Sequence, residues 1–301
     1  MTVFINIFAN NVLPVFLVMA VGLFLDRKLQ VDKRHLARIA LYVLTPALIF
    51  SRIVQSLVDP AAFGQMLVFV VAFTLIMCAL GLLIGRLLGW SSREIDALVL
   101  SVAFLNAGNF GLSVVLFTYG DEGLQLATVF FVGSNFTANT LSAFFAARSN
   151  HGARGALLKT LRLPGLWAFL LALAVRLMAI PVPNLVLRPL MTLGNAYVPV
   201  MLMLLGLQLS QTRLGHQYGK VALGVGLRLV VGALAALGLA PLMGLEGLAR
   251  QVGVLEASMP TAVNSSLMAI EFDANAEYVS SCILVSTLFS SVTLTLLIAF
   301  L

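Results

Sequence analysis

The sequence predicts an all-α integral membrane protein of ten transmembrane helices, arranged as a 5+5 inverted repeat with broken, crossing helices 4 and 9. Three observations predict it: an apolar, weakly charged composition, ten apolar stretches of spanning length, and helix-breaking residues at matching places in the two halves. The 301 residues are 60% hydrophobic and 10% charged, with mean hydropathy +1.04. A soluble domain carries about 25% charged residues to cover its surface, so most of this surface faces lipid. The net charge of +6 fits basic loops beside a membrane. No basic stripe with interleaved aromatics exists, which excludes a nucleic-acid partner. Cys78 and Cys282 both sit in apolar runs, where they read as packing residues, and no metal-ligand spacing occurs.

A helix needs about 20 apolar residues to cross the hydrocarbon core. Six uncharged runs satisfy this: 1–25, 61–85, 97–120, 123–147, 189–212 and 278–301. Four further stretches carry one internal charge each, near 37–57 (Arg52), 160–180 (Arg176), 218–242 (Arg228) and 249–270 (Glu256). The first run has no charge before it, and its basic cluster, Arg27 and Lys28, follows it. That order reads as a first spanning helix, not a signal peptide. The loops after helices 1, 3, 5 and 7 hold thirteen Lys and Arg residues; the alternate loops and their flanks hold four. This asymmetry places the odd-numbered loops in the cytoplasm and both termini outside it. The expected location is a bacterial inner membrane. His35, His151 and His216 all fall in the cytoplasmic loops, away from mid-membrane.

Five helices per half invert the second half relative to the first. The loop around residues 148–161 divides residues 1–150 from 151–301. Pro46 and Pro199 are 153 residues apart, as are Ser113 and Ser266, and Gly85 and Gly238. Pro14 and Pro164 are 150 apart. The shared offset, not any single match, carries the repeat.

Helices 4 and 9 contain the breaks. Asn106, Gly108, Asn109 and Gly111 crowd the middle of helix 4, where each glycine costs about 1 kcal/mol against alanine. Pro260, Thr261 and Asn264 occupy the middle of helix 9, and proline removes a backbone hydrogen bond. Irregular backbone at this depth is tolerated only where it is buried in protein or lines a cavity. Two such breaks in register point to a transport site, whereas one alone would read as helix packing. Each break frees the N-terminus of a second half-helix, which carries partial positive charge. Two N-termini meeting at one centre can hold a carboxylate without a buried cation, with Asn106, Asn109 and Asn264 adding amide donors. The expected substrate is therefore a small organic acid. Unwound carbonyls can equally hold Na⁺, a candidate coupling ion.

Arg228 and Glu256 are the two ionisable groups well inside helices, each about ten residues from its end. At 1.5 Å per residue both lie roughly 15 Å deep. A lone charge there costs about 2.5–3.5 kcal/mol, so the two are candidates for a structural pair. The rival role for Glu256 is ion coupling, with Thr128 and Asn135 of the polar run in helix 5 as further ion-coupling candidates. Gly81 and Gly85 form a small-xxx-small motif whose first reading is close helix packing and whose second is a dimer seam. Glu271, Asp273 and Glu277 read as a solvated cytoplasmic loop.

At NAGNFGLSVVLFTYGDEGLQLA (106–127), LMLLGLQLS (202–210) and ASMPTAVNSSLMAIEF with AEYVSSCILVSTLFSSVTL (257–294), the chain resembles the auxin efflux carrier family, the bacterial relatives of plant PIN transporters. The resemblance spans essentially the whole chain. It implies ten helices, scaffold and transport domains built from both halves, elevator-type alternating access and often a homodimer. It also implies organic-acid substrates, dicarboxylates in bacteria and auxin in plants. The implied fold is similar to that of bile acid:sodium symporters, which place a helix-9 glutamate near the crossing, about where Glu256 falls. Many relatives carry proline where this chain has Ser113. The functional expectation is secondary active transport coupled to H⁺ or Na⁺, with a passive channel or facilitator as the alternative. No intramembrane acidic pair, histidine or Ser/Lys arrangement suggests an enzyme, and no nucleotide-binding loop suggests an ATP-driven pump.

Overall fold

The computed structural model describes residues 2–29, 31–148, 163–212 and 214–301. All regular secondary structure among them is helical. Six helices are long and apolar enough to cross a membrane. These are α1 (Phe4–Leu29), α2 (Lys33–Val54), α3 (Ala61–Leu87), α7 (Asn184–Ser210), α8 (Tyr218–Leu242) and α11 (Ala276–Phe300). Between them lie α4 (Ser92–Ala103), α5 (Leu112–Arg148), α6 (Pro164–Leu177), α9 (Gly247–Ala257) and α10 (Asn264–Glu271). The expected half-boundary loop and His151 fall on 149–162, outside the described residues.

Local chemistry sets the ends. Asp32 and Asp59 each accept a backbone N–H two residues on, from Arg34 at 2.8 Å and Ala61 at 2.9 Å, so α2 and α3 begin on capping carboxylates. Ser91 and Glu94 form a reciprocal capping box on α4. The long helix α5 turns at Gly120, whose φ of 65° and ψ of −158° only glycine adopts without strain. That turn divides the uncharged run 97–120 from the run 123–147.

Prolines shape the spans. The π-helical turns Phe8–Val12 and Ala40–Leu44 each end two residues before a proline, Pro14 and Pro46. Without an N–H, proline leaves a carbonyl of the preceding turn unmatched, and the ladder widens locally. Helix α7 bends at Ala196, just before Pro199. Pro46 and Pro199, matched by sequence offset, thus mark comparable irregularities.

The helices pack in two sets. In the first, α1 lies along the second part of α7, and α2 packs on α6 and on the first part of α7. Glycine makes this set tight: a Cβ at Gly22 would stand 2.0 Å from the Met203 carbonyl oxygen, and one at Gly206 would stand 2.0 Å from that of Met19. In the second set, α3, α4, α5, α8, α9, α10 and α11 gather around the helix breaks. Gly81 and Gly85 meet Val99 and Ile95 of α4, so this motif is filled within the chain and the dimer-seam reading falls. Cys78 and Cys282 are both buried and unbridged.

Candidate functional site

The two helix breaks pair with each other. After α4 the chain runs extended through Phe104 and Leu105, bends at Asn106, then makes a π-helical turn, Ala107–Gly111, leading into α5. After α9 it leaves the helix over Ser258–Val263 before α10 begins at Asn264. Leu105 and Thr261 form an antiparallel bridge: the Asn106 N–H donates to the Pro260 carbonyl at 2.8 Å, and the Ala262 N–H to the Phe104 carbonyl at 2.9 Å. Each break thereby satisfies backbone groups that the other exposes, which answers the cost of irregular backbone in an apolar interior. Thr261 locks the crossing further. Its hydroxyl donates to the Ser101 carbonyl at 2.7 Å, and its N–H donates to Ser286 Oγ at 3.1 Å.

Arg228 sits at one side of this crossing, fully buried on the π-helical turn Leu227–Val231 of α8. Its Nη1 donates to the Val102 carbonyl at 2.7 Å and its Nη2 to the Ala257 carbonyl. Those carbonyls end α4 and α9, the two half-helices that run into the crossing. One planar guanidinium therefore joins the negative ends of two helix dipoles. The Phe73 ring, 5.4 Å from the guanidinium carbon, covers it.

The opposite side carries the starts of the outgoing half-helices and is hollow. A cavity of about 100 Å³ is lined there by Asn106, Gly108, Asn109, Asn264 and Ser265. Asn106 is 5% exposed and Ser265 0%; Asn106 Nδ2 and Ser265 Oγ have no hydrogen-bond partner. Buried polar atoms of this kind cost stability unless a ligand or water completes them. A larger cavity of about 300 Å³ adjoins it, sharing Asn109, Phe131, Asn135 and Asn264. It lies between the two helix sets, with Thr45, Ile49, Tyr197 and Met201 on the far wall. It extends to Ala37, Gly165 and Gln208, at the ends of α2, α6 and α7 that adjoin the basic loops. At the other end, Arg52 of α2 bonds Asp121, beside the Gly120 turn, at 2.8 Å, and Asn195 of α7 at 2.9 Å.

Comparison with known proteins settles the class. The family model described as membrane transport protein matches residues 7–155 and 153–298. The chain belongs to this family, the auxin efflux carriers. An uncharacterized transporter of Methanothermobacter thermautotrophicus is 31% identical over 268 residues, 88% of each chain. Another, of Methanocaldococcus jannaschii, is 27% identical over 264 residues, 85% of each. The protein is a membrane transporter and not an enzyme.

In this transporter the residues expected at the site divide by role. Asn106, Gly108, Asn109 and Asn264 line the smaller cavity. Pro260 and Thr261 build the crossing and line neither cavity. Gly111 gives room to Glu256, since a Cβ there would stand 2.2 Å from Glu256 Oε2. The Arg228–Glu256 pair is corrected: Arg228 serves the two helix ends, while both Glu256 oxygens are buried without a hydrogen-bond partner. Equal depth on adjacent helices does not determine direction, and the carboxyl turns towards Gly111. Asn135 lines both cavities, though its amide also donates to the Phe131 carbonyl at 3.0 Å. Thr128, fully buried, donates to the Leu124 carbonyl and lines neither cavity, so the ion-coupling role has no geometric support there. The break in helix 4 also starts earlier than its glycines suggest, at Phe104, because that backbone pairs with helix 9. Sequence reasoning missed Ser265, Phe131, Tyr197 and Gln208. Ser265 adjoins the flagged Asn264, but only packing distinguishes it from the other serines.

Proposed function

We propose that this protein is a secondary active transporter of a small organic anion, a carboxylate, working by elevator-type alternating access. One observation carries the reading: the two sides of the crossing have opposite polarity, and only one is filled. Arg228 occupies the side where the half-helices end, so the fixed cation and the negative dipole ends balance. The side where the half-helices start carries partial positive charge and unpartnered donors around a cavity, which suits an anion. The two packing sets support the elevator reading, with α1, α2, α6 and α7 as the scaffold and the remaining helices as the moving body. Helix order and the matched irregularities at Pro46 and Pro199 support ten spans in a 5+5 inverted repeat. Basic loops orient both termini outside the cytoplasm. In that orientation the large cavity opens inward, and the Arg52–Asp121–Asn195 cluster closes the outer end.

The coupling ion that fits is a proton. Sodium bound at the half-helix ends would stand against the Arg228 guanidinium, whereas Glu256 presents two unpartnered oxygens beside the moving π-helical turn. Glu256 takes up the proton, and its ionised form has no hydrogen-bond partner in this arrangement. The test is carboxylate uptake into proteoliposomes under an imposed pH or Na⁺ gradient. Saturable uptake driven by the pH gradient, insensitive to Na⁺ and lost in Glu256→Gln, is expected. Uptake that never saturates, or that no gradient accelerates, would establish a passive channel instead.

A further inference from the structure

We infer that Asp26 and Arg176 are a pair of positioning residues, related by the inverted repeat, that anchor two of the connectors between the helix sets and so set the hinges of their relative movement; this rests on the alternating-access reading above. On α1, Asp26 Oδ1 accepts from Gln211 Nε2 at 2.9 Å, and Oδ2 accepts from the Ser210 hydroxyl. Lys33, at the start of α2, donates to the other end of the same amide, Gln211 Oε1. Gln211 is the first residue of the connector from α7 to α8, so the first helix set holds that connector where it leaves. On α6, Arg176 Nη2 donates to the Val58 carbonyl, in the connector from α2 to α3. The guanidinium carbon also lies 4.5 Å from the centroid of the Phe63 ring.

These are one contact made twice. Asp26 and Arg176 are 150 residues apart, the offset of Pro14 and Pro164; Val58 and Gln211 are 153 apart, the offset of Pro46 and Pro199. The repeat therefore maps the pair Asp26–Gln211 onto the pair Arg176–Val58. The chemistry is inverted along with the topology. In one copy a carboxylate takes an amide donor, and in the other a guanidinium takes a carbonyl acceptor. Both bonds carry a charge on the anchor, which makes them stronger than neutral ones. Lys33 begins α2 and Val58 lies four residues beyond its end, so the two anchors stand at opposite ends of the first helix set.

The second set takes hold of each connector just after its anchor. Asp59, next to Val58, caps α3 by accepting from the Ala61 N–H at 2.9 Å. In the other connector the Gly215 N–H donates to Ser281 Oγ of α11 at 2.8 Å. Between anchor and moving body lie one peptide step in the first connector, Val58 to Asp59, and four in the second, Gln211 to Gly215. Domain movements concentrate their φ/ψ change in a few residues of this kind. Arg176 touches Val58 on one side of the first hinge and Phe63 on the other. Contacts that close to an axis persist while the body turns about it.

Pulsed electron paramagnetic resonance on the spin-labelled full-length protein in lipid nanodiscs tests this, with Cys78 and Cys282 replaced by alanine. One label pair, Leu185→Cys with Leu242→Cys, spans the two sets at the Arg176 end; the other, Leu29→Cys with Tyr218→Cys, spans them at the Asp26 end. All four positions are exposed. Freeing Val58 lengthens the unheld chain from one step to about five, and reach grows as the square root of that number, so Arg176→Met should widen the first distance distribution about twofold. Arg176→Lys keeps a donor on the carbonyl and should restore the narrow distribution. Asp26→Ala should widen the second distribution by a smaller factor, since that hinge already has four steps. Gln211→Ala, at an exposed position that folding tolerates, should do the same. Peak positions and proportions should stay as in wild type, because an anchor holds in every arrangement. Proportions that shift while widths stay constant would overturn the hinge assignment and make these bonds locks of a single arrangement. Widths and proportions unchanged in Arg176→Met and in both variants at the other end would overturn the anchoring itself. A single narrow wild-type peak at both ends, at pH 5 and at pH 8, would instead remove the alternating-access reading on which the hinges rest.

Discussion

Arg228→Met tests the charge at the centre of the molecule. The guanidinium makes two hydrogen bonds to the Val102 and Ala257 carbonyls, both buried. A hydrogen bond from a charged donor contributes about 1.5–3 kcal/mol net, so removing both costs about 3–6 kcal/mol. Methionine refills the apolar volume beside Phe73 but leaves two carbonyls bare at the ends of two dipoles. Arg228→Lys keeps the charge but not the planar fork. A point-like ammonium reaches one carbonyl well, so its loss should be about half as large. Equilibrium unfolding of the purified variants in mixed micelles should therefore order wild type above Lys above Met. Met within about 0.5 kcal/mol of wild type, or Lys no better than Met, would refute the bridging role. The cycle with Glu256→Gln separates this from an ion pair. Because the carboxyl has no hydrogen-bond contact with Arg228, the double variant should equal the sum of the singles within about 0.5 kcal/mol.

Gly111→Ala drives a methyl group to 2.2 Å from Glu256 Oε2 and should destabilise by about 1–3 kcal/mol; Glu256→Ala should relieve most of that loss, measured by the same unfolding. Asp121→Asn weakens the cluster around Arg52, which the orientation proposed above puts at the outer end, a partly exposed ion pair contributing about 0.2–1 kcal/mol. In right-side-out vesicles, labelling of a cysteine placed at Asn109 by an impermeant thiol reagent should then accelerate up to about fivefold, and an unchanged rate would detach the cluster from gating. Glu94, outside the apolar run 97–120, is held at about 2 by the hydrogen bond from Lys220 and then by those from Ser91. Its folded value lies below the unfolded 4.5, so its contribution is full above about pH 4.5 and fades as pH falls towards 2. Stability titrated from pH 6 to 2.5 should lose less in Glu94→Gln than in wild type.

The division between sequence and tertiary structure follows the range of the forces. Membrane residence, the apolar spans and the two broken helices were legible in composition and local backbone chemistry. Burying the backbone in lipid demands long uncharged runs, and glycine, asparagine and proline interrupt them where they crowd together, as at 106–111 and 260–264. The asparagines of the smaller cavity were legible for the same reason, since they lie inside the interruptions. Only folding decided that the interruptions hydrogen-bond to each other. It also decided that helix 4 opens at Phe104 and that Thr261 braces the crossing while Ser265 lines its cavity. The separation of Arg228 from Glu256 was equally out of reach. Charge and depth can be counted along a helix, but a side chain's direction depends on which neighbours leave it room. Here two carbonyls from distant segments claim the guanidinium, and the missing side chain of Gly111 admits the carboxyl.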